Sequence, residues 1–276
     1  MTGDALLQPW ITRWALVPDG AAFSTEYTAS RLQPVRTRDG TRAMLKLATS
    51  AEERRGAAAL TLFGEAAAPV LAQDGDALLL LRLDGERDLV AMAADGRDDE
   101  ATVILCDVLS RLHRPAPTSS VLVDLPDWFA ALRAAAAMAD RDPLYAIAWR
   151  TAQTLLAEDA PRMALHGDMH HGNVLRAADG RWLAIDPKGL AGDAGFDFAN
   201  ILHNPSAEVA HAPGRLGRQA RVIAARSGQP LARVLRWTLS YACLSAAWSR
   251  ADGREDWEAL GLTTARIAQA ELAAIV

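Results

Sequence analysis

A run of polar residues near the middle of the chain has the types and spacing needed to transfer a phosphoryl group. Residues 166–173 read His-Gly-Asp-Met-His-His-Gly-Asn, and Asp186 follows at the end of an apolar run. Kinase active sites, which transfer a phosphoryl group from a nucleotide, carry a catalytic base, a metal-binding Asn and a metal-binding Asp in this order and at this spacing. In this interpretation Asp168 accepts the proton of the attacking hydroxyl. Asn173 and Asp186 supply hard oxygen ligands of the kind that bind Mg²⁺.

The histidines of the same run allow a second interpretation. Together with Asp168, the imidazoles of His166, His170 and His171 could ligate zinc. A zinc site would require neither the Asn at the end of the run nor the later Asp, so phosphoryl transfer explains more of the pattern. We expect His166 to brace the loop through hydrogen bonds.

Lysine is almost absent from the chain, which makes each lysine informative. Among 29 Lys and Arg residues, only Lys46 and Lys188 are lysines. Lys46 lies in an apolar, strand-like run after Asp39-Gly40, a dipeptide that strongly predicts a hairpin between extended segments. A strand lysine in this setting holds the phosphates of a nucleotide. The alternative is a surface lysine whose aliphatic stem lies on apolar neighbours.

An acidic residue on the first predicted helix should orient this lysine. Helical spacing runs from residue 51 to residue 63, and Glu53 is the first candidate to form an ion pair with Lys46. Glu52 and Glu65 are alternative candidates. The competing interpretation is that Glu53 only complements the positive end of the helix dipole.

The turn before the lysine-bearing strand is a second candidate for binding the nucleotide. It reads Asp-Gly-Ala-Ala-Phe-Ser-Thr over residues 19–25. We expect its backbone N–H groups and the hydroxyls of Ser24 and Thr25 to contact phosphates. The segment has no Gly-x-Gly-x-x-Gly pattern, so an ordinary connection between strands is the alternative.

Several segments combine into the pattern of one protein family. They are Lys46, residues 53–56, residues 80–87, the run from His166 to Asn173, residues 184–187, residues 189–193 and residues 241–248. From about Arg13 to the C-terminal region, the chain resembles the aminoglycoside phosphotransferases, in the branch of streptomycin 6-kinase and hydroxyurea kinase. Asp-Pro in place of Asp-Phe-Gly, followed by Gly-Leu-Ala-Gly-Asp, favours this branch over the wider kinase-like superfamily.

The resemblance implies both a fold and a chemistry. The implied fold is α+β and two-lobed like a protein kinase, with a small β-rich N-lobe (residues 1–81) and a larger, mainly helical C-lobe (residues 82–276). The implied donor is ATP, with GTP as the alternative, together with Mg²⁺. The implied reaction is 6-phosphorylation of an aminoglycoside antibiotic such as streptomycin, which would confer resistance to it. Arg82 and Leu83 would lie in the hinge between the lobes, where the backbone contacts the purine.

Carboxylates near the base are expected to bind a cationic substrate. Streptomycin-like molecules carry guanidinium groups, and Asp193 is the first candidate to bind them. Trp248 and the acidic residues of 252–256 could form an aromatic-edged wall, or they could be a core Trp followed by a solvated turn. For Asp197 we expect a structural role, either as a helix N-cap or as a brace for a loop, and contact with the substrate is the alternative.

The patterns that must position these residues differ between the two halves of the chain. Up to about Leu81, strand-like runs and turns mix with one helix. Beyond it, helical spacing dominates over residues 100–113, 128–138 and 144–156. These helices should form the core beneath the catalytic loop.

Composition narrows the partners and the compartment. A net charge of −5 and a pI near 5.7 argue against nucleic acid, which usually requires a basic face. The apolar stretches are far shorter than a membrane span, and the N-terminus lacks the order of a signal peptide. We therefore expect a cytoplasmic protein without membrane contact, either a monomer or a weak homodimer. Cys106 and Cys243 show no metal or disulfide pattern.

Three functional hypotheses remain. The first is a kinase of an aminoglycoside such as streptomycin. The second keeps the chemistry but changes the acceptor to hydroxyurea or to a small hydroxylated metabolite. The third is a kinase-like protein that binds a nucleotide without turning it over. The joint presence of Lys46, Asp168, Asn173 and Asp186 argues against the third, because such a protein has no chemical need of all four.

Overall fold

The structure is a computed structural model that describes residues 4–24, 30–83, 88–118, 121–138 and 142–275. The strands are β1 (Val17–Pro18), β2 (Arg31–Arg36), β3 (Arg42–Leu47), β4 (Val70–Asp74), β5 (Ala77–Leu81), β6 (Arg114–Pro115), β7 (Val123–Asp124), β8 (Met163–Leu165), β9 (Val174–Arg176), β10 (Trp182–Ala184) and β11 (Leu190–Gly192). The helices are α1 (Gln8–Arg13), α2 (Ala51–Phe63), α3 (Asp88–Ala94), α4 (Asp98–Leu112), α5 (Leu125–Trp128), α6 (Ala130–Ala136), α7 (Pro143–Leu156), α8 (Ala199–His203), α9 (Ala207–Ala210), α10 (Arg215–Ser227), α11 (Leu231–Ala251) and α12 (Glu255–Ala273).

The N-terminal part is built on an antiparallel sheet with the strand order β1-β2-β3-β5-β4. The turn between β2 and β3 contains Gly40 at a φ of 86°, a conformation that glycine adopts without steric cost. The hairpin predicted from Asp39-Gly40 is therefore confirmed.

Lys46 lies on the central strand β3, opposite Leu32 of β2 and Leu78 of β5. Its predicted strand position is also confirmed.

Helices cover both faces of this sheet. Leu45 of β3 and Leu79 of β5 share one face with Leu7 and Ile11 of α1. Side chains alternate along a strand, so Lys46 and its partner Leu78 point to the opposite face, where α2 packs. The sequence predicted only one helix in this region. Helix α1 was missed because six residues are too few to show a helical period.

The C-terminal part is mainly helical, with α11 at its centre. Helix α11 packs against α7, α8 and α12. Its Trp237 is fully buried and meets the rings of Phe129 and Phe196. Of the helix predicted over residues 128–138, the structure forms α6, while Trp128 ends the preceding helix α5 and the buried Phe129 separates the two.

These two parts confirm the predicted α+β architecture of a small β-rich N-lobe and a larger helical C-lobe. The lobe boundary after Leu81 coincides with the end of β5 and stays a prediction. None of the helices in the described ranges has both the length and the apolar character needed to cross a bilayer.

A small sheet in the C-lobe carries the loops of interest. Its strand order is β6-β8-β11-β7, with β8 and β11 antiparallel and Leu165 opposite Leu190. Residues 166–173 leave the end of β8, and residues 185–189 lead into the start of β11. In an antiparallel pair these two ends are adjacent, so the register brings both loops together.

Candidate active site

The imidazole of His166 joins the two loops. Its Nδ1 accepts a hydrogen bond from Asp168 N at 3.2 Å, and its Nε2 lies 2.9 Å from Ile185 O. Because the carbonyl can only accept, Nε2 carries the proton. Burial lowers the pKa of His166 below its ordinary value, which keeps the ring neutral in this arrangement. The predicted bracing role of His166 is confirmed.

A second brace comes from Asp197, which is fully buried. Its Oδ2 accepts from His166 N and its Oδ1 from Gly167 N, both at 2.8 Å. Oδ2 also lies 2.9 Å from His113 Nε2. Three partners around one carboxylate hold the start of the 166–173 loop in place. The expected loop-bracing role of Asp197 is confirmed, whereas the carboxylate does not cap a helix.

The carboxylate of Asp168 has two unequal oxygens. Oδ1 accepts a hydrogen bond from Asn200 Nδ2 at 2.9 Å. Oδ2 makes only longer contacts, 3.4 Å to Asn173 Nδ2 and 3.9 Å to Lys188 Nζ. Oδ2 therefore has lone pairs that no short hydrogen bond occupies, and it can accept a hydrogen bond from a substrate hydroxyl.

Asn173 and Asp186 fit the requirements of a magnesium site. Asn173 is buried and donates from Nδ2 to Asp168 O at 2.8 Å, so its amide oxygen is left for a cation. Asp186 adopts a φ of 58°, a left-handed conformation that costs a residue with a Cβ about 1–3 kcal/mol and is typical of functional sites. Mg²⁺ needs only one or two carboxylate or amide oxygens when phosphates and water complete its shell.

Lys46 forms its ion pair with Asp186, across the lobes. The prediction that Glu53 is the partner of Lys46 does not match this pairing. The Glu53 carboxylate instead accepts from Thr49 N at 2.7 Å and Ser30 N at 3.1 Å. The hydroxyl of Ser50 in turn accepts from Glu53 N at 3.2 Å, so the two side chains cap the start of α2. The alternative interpretation, that Glu53 complements the helix N-terminus, describes these contacts.

Neighbouring charges shift the pKa values of the acidic groups. Burial alone would raise the pKa of Asp186, but the ammonium groups of Lys46 and Lys188 outweigh it, so the pKa lies below its ordinary value. The pKa of Glu53 is also lowered, because its hydrogen bonds and the charge of Lys46 outweigh burial. Both carboxylates are therefore ionised at neutral pH.

Lys188 and Asn200 are site residues that the sequence analysis did not assign to the site, and Glu52, an alternative candidate for Lys46, pairs with Lys188 instead. Lys188 Nζ contacts Glu52 Oε1 at 2.9 Å and approaches Asp168. The signal for Lys188 was present, since the lysine rarity that singled out Lys46 applies to it equally. Asn200 carried no such signal, because its position beside the base depends on how α8 packs.

The remaining nucleotide candidates lie around the edge of the sheet. Ser24 Oγ accepts a hydrogen bond from Arg31 at 3.0 Å. Thr25 lies outside the described residues. Arg82 pairs with Asp19 at 3.1 Å, and its backbone N–H donates to a neighbouring strand. That N–H group is thus committed to the sheet, and purine binding by the hinge at Arg82 and Leu83 stays a prediction.

The contacts of Asp193 are those of a structural brace. Asp193 accepts from Gly195 N at 2.8 Å and forms an ion pair with Arg233. It lines a cavity of about 430 Å³ whose lining does not include Asp168. The guanidinium of Arg233 therefore already pairs with the Asp193 carboxylate. These contacts do not support the prediction that Asp193 binds a guanidinium group of the substrate.

Trp248 also makes core contacts. Its ring packs edge-on against Trp128, with 5.1 Å between the ring centroids. Asp252, Glu255 and Asp256, the acidic residues that follow, are exposed. This matches the alternative of a core Trp followed by a solvated turn, and substrate contact by Trp248 stays a prediction.

The histidines of the 166–173 run do not gather around one point. The ring of His166 bonds within the two loops, His170 Nδ1 accepts from Gly172 N at 3.0 Å, and His171 is buried. Within the described part of the chain, no three His, Cys, Asp or Glu side chains form a metal-binding group. The described residues therefore offer no set of side chains that could ligate zinc.

Comparisons with known proteins agree with this geometry. A family model described as aminoglycoside/hydroxyurea antibiotic resistance kinase matches residues 13–253. The chain is similar to a streptomycin 3''-kinase of Klebsiella pneumoniae, with 42% identity over 87% of this chain and 91% of the relative. It is also similar to a streptomycin 6-kinase of Streptomyces glaucescens, with 35% identity over 95% of this chain and 88% of the relative.

A solved structure extends the comparison to the fold. The GDP complex of aminoglycoside 2'-phosphotransferase-IIIa superimposes with a TM-score of 0.61 over 98% of each chain. The two sequences are 13% identical, so this likeness concerns the fold alone.

Proposed function

The chain belongs to the aminoglycoside/hydroxyurea antibiotic resistance kinase family and is a phosphotransferase with a hydroxyl acceptor, and we propose that its acceptor is streptomycin and its donor ATP. The observation that carries this proposal is that Asp168, Asn173, Asp186 and Lys46 come together on two adjacent loops and strand β3, in a chain whose relatives are streptomycin kinases. We place the enzyme in the cytoplasm, where ATP is available, as a monomer or weak homodimer.

The proposed base is Asp168 acting through Oδ2. Asn200 holds Oδ1 by a direct hydrogen bond, which orients the carboxylate plane. Oδ2 can then accept the proton of the attacking hydroxyl. A base positioned in this way contributes by orientation and by accepting charge in the transition state.

Asn173 and Asp186 would hold Mg²⁺, and Lys46 would contact the donor phosphates. When bound, Mg²⁺ neutralises charge on those phosphates. Lys46 already lies at Asp186, so its ammonium is placed where phosphates bound at that carboxylate would meet it. The hydrogen bonds of the neutral His166 and the buried Asp197 hold the two loops in fixed positions relative to each other during turnover.

ADP release measured in a coupled assay tests the activity. We expect streptomycin-dependent turnover with Mg-ATP and a loss of about 100- to 10,000-fold in kcat in Asp168→Ala, because the general base is gone. Expression in a sensitive bacterium should raise the inhibitory concentration of streptomycin, and the Asp168→Ala protein should not. Absence of turnover with every aminoglycoside would refute the streptomycin proposal, and turnover with hydroxyurea in the same assay would replace it with the second hypothesis.

The position of the modified hydroxyl needs a separate measurement. The relatives include a streptomycin 3''-kinase at 42% identity and a streptomycin 6-kinase at 35% identity, whereas the resemblance seen in the sequence was to the 6-kinases. Phosphorus–proton correlation in the NMR spectrum of the product distinguishes the two positions directly. We propose the 3'' position on the basis of the higher identity, and a phosphate at position 6 would contradict it.

A further inference from the structure

Lys188 brings a second ammonium group to the candidate site, beside Asp168. Its Nζ lies 3.9 Å from Asp168 Oδ2, the oxygen assigned to proton uptake, and 2.9 Å from Glu52 Oε1 of α2. The distance to Asp168 is too long for a hydrogen bond but short enough for strong attraction between opposite charges. An ammonium has three N–H donors, so the contact with Glu52 leaves capacity for another acceptor.

Backbone contacts determine where this side chain begins. Lys188 N donates to His166 O at 2.7 Å, which ties the residue to the loop of the base. Gly189 follows at a φ of 69°, and a Cβ there would lie 2.8 Å from Arg55 O. Only glycine lets the chain pass this close to α2. The lysine is thus held from both sides, by the catalytic loop and by the N-lobe helix.

Lys188 lies between the groups that exchange negative charge during the proposed reaction, the donor phosphates and the acceptor hydroxyl. In the proposed site, Asp186 marks the place of the donor phosphates, and Asp168 marks the place of the attacking hydroxyl. Lys188 is next to Asp168 in space, and its charge also acts on Asp186. A migrating phosphoryl group spreads negative charge over three equatorial oxygens, and a cation fixed beside its path stabilises that state without reorganising.

We propose that Lys188 contacts the phosphoryl group in transit and that Glu52 holds its ammonium beside Asp168. This inference rests on the proposed function, since it assigns a further residue to the same reaction. Lys46 then acts on the phosphates held by Asp186, and Lys188 acts on the group between donor and acceptor.

The step itself leaves Lys188 chemically unchanged. A lone pair of the acceptor oxygen forms a bond to the γ-phosphorus. The bond from that phosphorus to the β,γ-bridging oxygen breaks, and its electron pair leaves with ADP. The acceptor proton moves to Asp168, while the lysine keeps its protons and supplies only charge and hydrogen bonds.

Two variants separate this role from a simple brace between the lobes. Lys188→Met and Glu52→Gln both break the ion pair between these residues, but only Lys188→Met removes the ammonium. We expect Lys188→Met to lower kcat about 100-fold or more, as for the loss of one transition-state donor, with the KM for ATP within about threefold. Glu52→Gln should lower kcat less than about tenfold, and Lys188→Arg should recover part of the loss.

A binding measurement gives a readout that a structural role would not change. Aluminium fluoride mimics the phosphoryl group in transit, so wild-type protein should bind Mg-ADP more tightly when it is present. Lys188→Met should lose this tightening while binding Mg-ADP alone as wild type does, and Glu52→Gln should retain it. If Lys188→Met does not fold, as judged by thermal unfolding, Lys188→Gln takes its place.

The opposite results would overturn the proposal. Equal losses of kcat in Lys188→Met and Glu52→Gln, with the fluoride effect intact in both, would show that Lys188 only holds the two lobes together. The fluoride measurement needs no acceptor. If wild-type protein shows the fluoride effect but does not phosphorylate streptomycin, the proposal that streptomycin is the acceptor is refuted. The proposed role of Lys188 is then unaffected.

Discussion

At the scale of single residues, an amide orients the proposed base. Asn200 donates to Asp168 Oδ1, and Asn204 Nδ2 donates to Asn200 Oδ1 at 2.8 Å. Because Asn200 gives its N–H group to Asp168 and receives one from Asn204, its side-chain orientation is determined. The base is thus held by a chain of hydrogen bonds that starts on α8 and its following turn.

Replacing Asn200 by Ala should therefore weaken catalysis more than binding. A hydrogen bond to a charged group contributes about 1.5–3 kcal/mol, so we expect kcat to fall about tenfold to 100-fold while the KM for ATP changes little. Steady-state kinetics measure this. Asn204→Ala is the matched control, and its loss should be smaller because it is one bond further from Asp168. A wild-type kcat in Asn200→Ala would contradict the positioning role.

The scarcity of lysine in the sequence singled out two residues but did not identify the side chains that they contact. It pointed correctly to the strand position of Lys46, because local apolar residues and the Asp-Gly turn placed that lysine in a hairpin. The same rarity marked Lys188 without indicating a role. The partner of Lys46 could not be read from spacing, since Asp186 is 140 residues away along the chain.

At the scale of elements, helix α2 and the segment 185–189 form one interface. Gly56 of α2 lies so close to this segment that a Cβ would stand 2.3 Å from Pro187 O. The same helix carries Glu52 and Glu53. The contact therefore couples the position of the loop that carries Asp186 to the N-lobe, and it depends on the absence of a side chain at residue 56.

Gly56→Ala tests this interface. Ala is favoured over Gly within a helix by about 1 kcal/mol, but the clash with a backbone carbonyl should cost more, about 1–3 kcal/mol. We expect a lower midpoint of thermal unfolding together with a reduced kcat. Thr61→Ala, on the exposed face of α2, should leave both nearly unchanged. A higher midpoint for Gly56→Ala would show that the helix and loop can separate without cost.

At the scale of the whole molecule, buried histidines couple stability to pH. Burial lowers the pKa of His203 to about 4 and that of His171 to about 3. An unfolded chain protonates these rings near pH 6.5, whereas the folded protein keeps them neutral. Between these values the unfolded state binds more protons, so stability is fully present above pH 6.5 and decreases as the pH falls toward 4.

This linkage predicts the behaviour of a His203 variant. Between pH 7 and pH 5, one such histidine should remove about 2 kcal/mol from the free energy of unfolding. His203→Gln should be less stable at pH 7 but should lose about 2 kcal/mol less over this interval. Urea denaturation at the two pH values measures the difference. Thr264→Val removes the hydroxyl 3.0 Å from His203 Nδ1 but keeps the imidazole, so it should retain the full pH dependence. Equal pH dependence in His203→Gln and wild type would contradict the assignment.

By itself, the sequence determined the chemical groups of the site, the strand that carries Lys46 and the division into a β-rich and a helical half. These features follow from short-range patterns, because residue intervals in a loop and side-chain periods in a strand or helix are local. The tertiary structure alone decided the pairings: Lys46 with Asp186, Lys188 with Glu52, Asn200 with Asp168. It also turned Asp193 toward Arg233. Such pairings depend on how distant elements pack, and no interval along the chain contains that information.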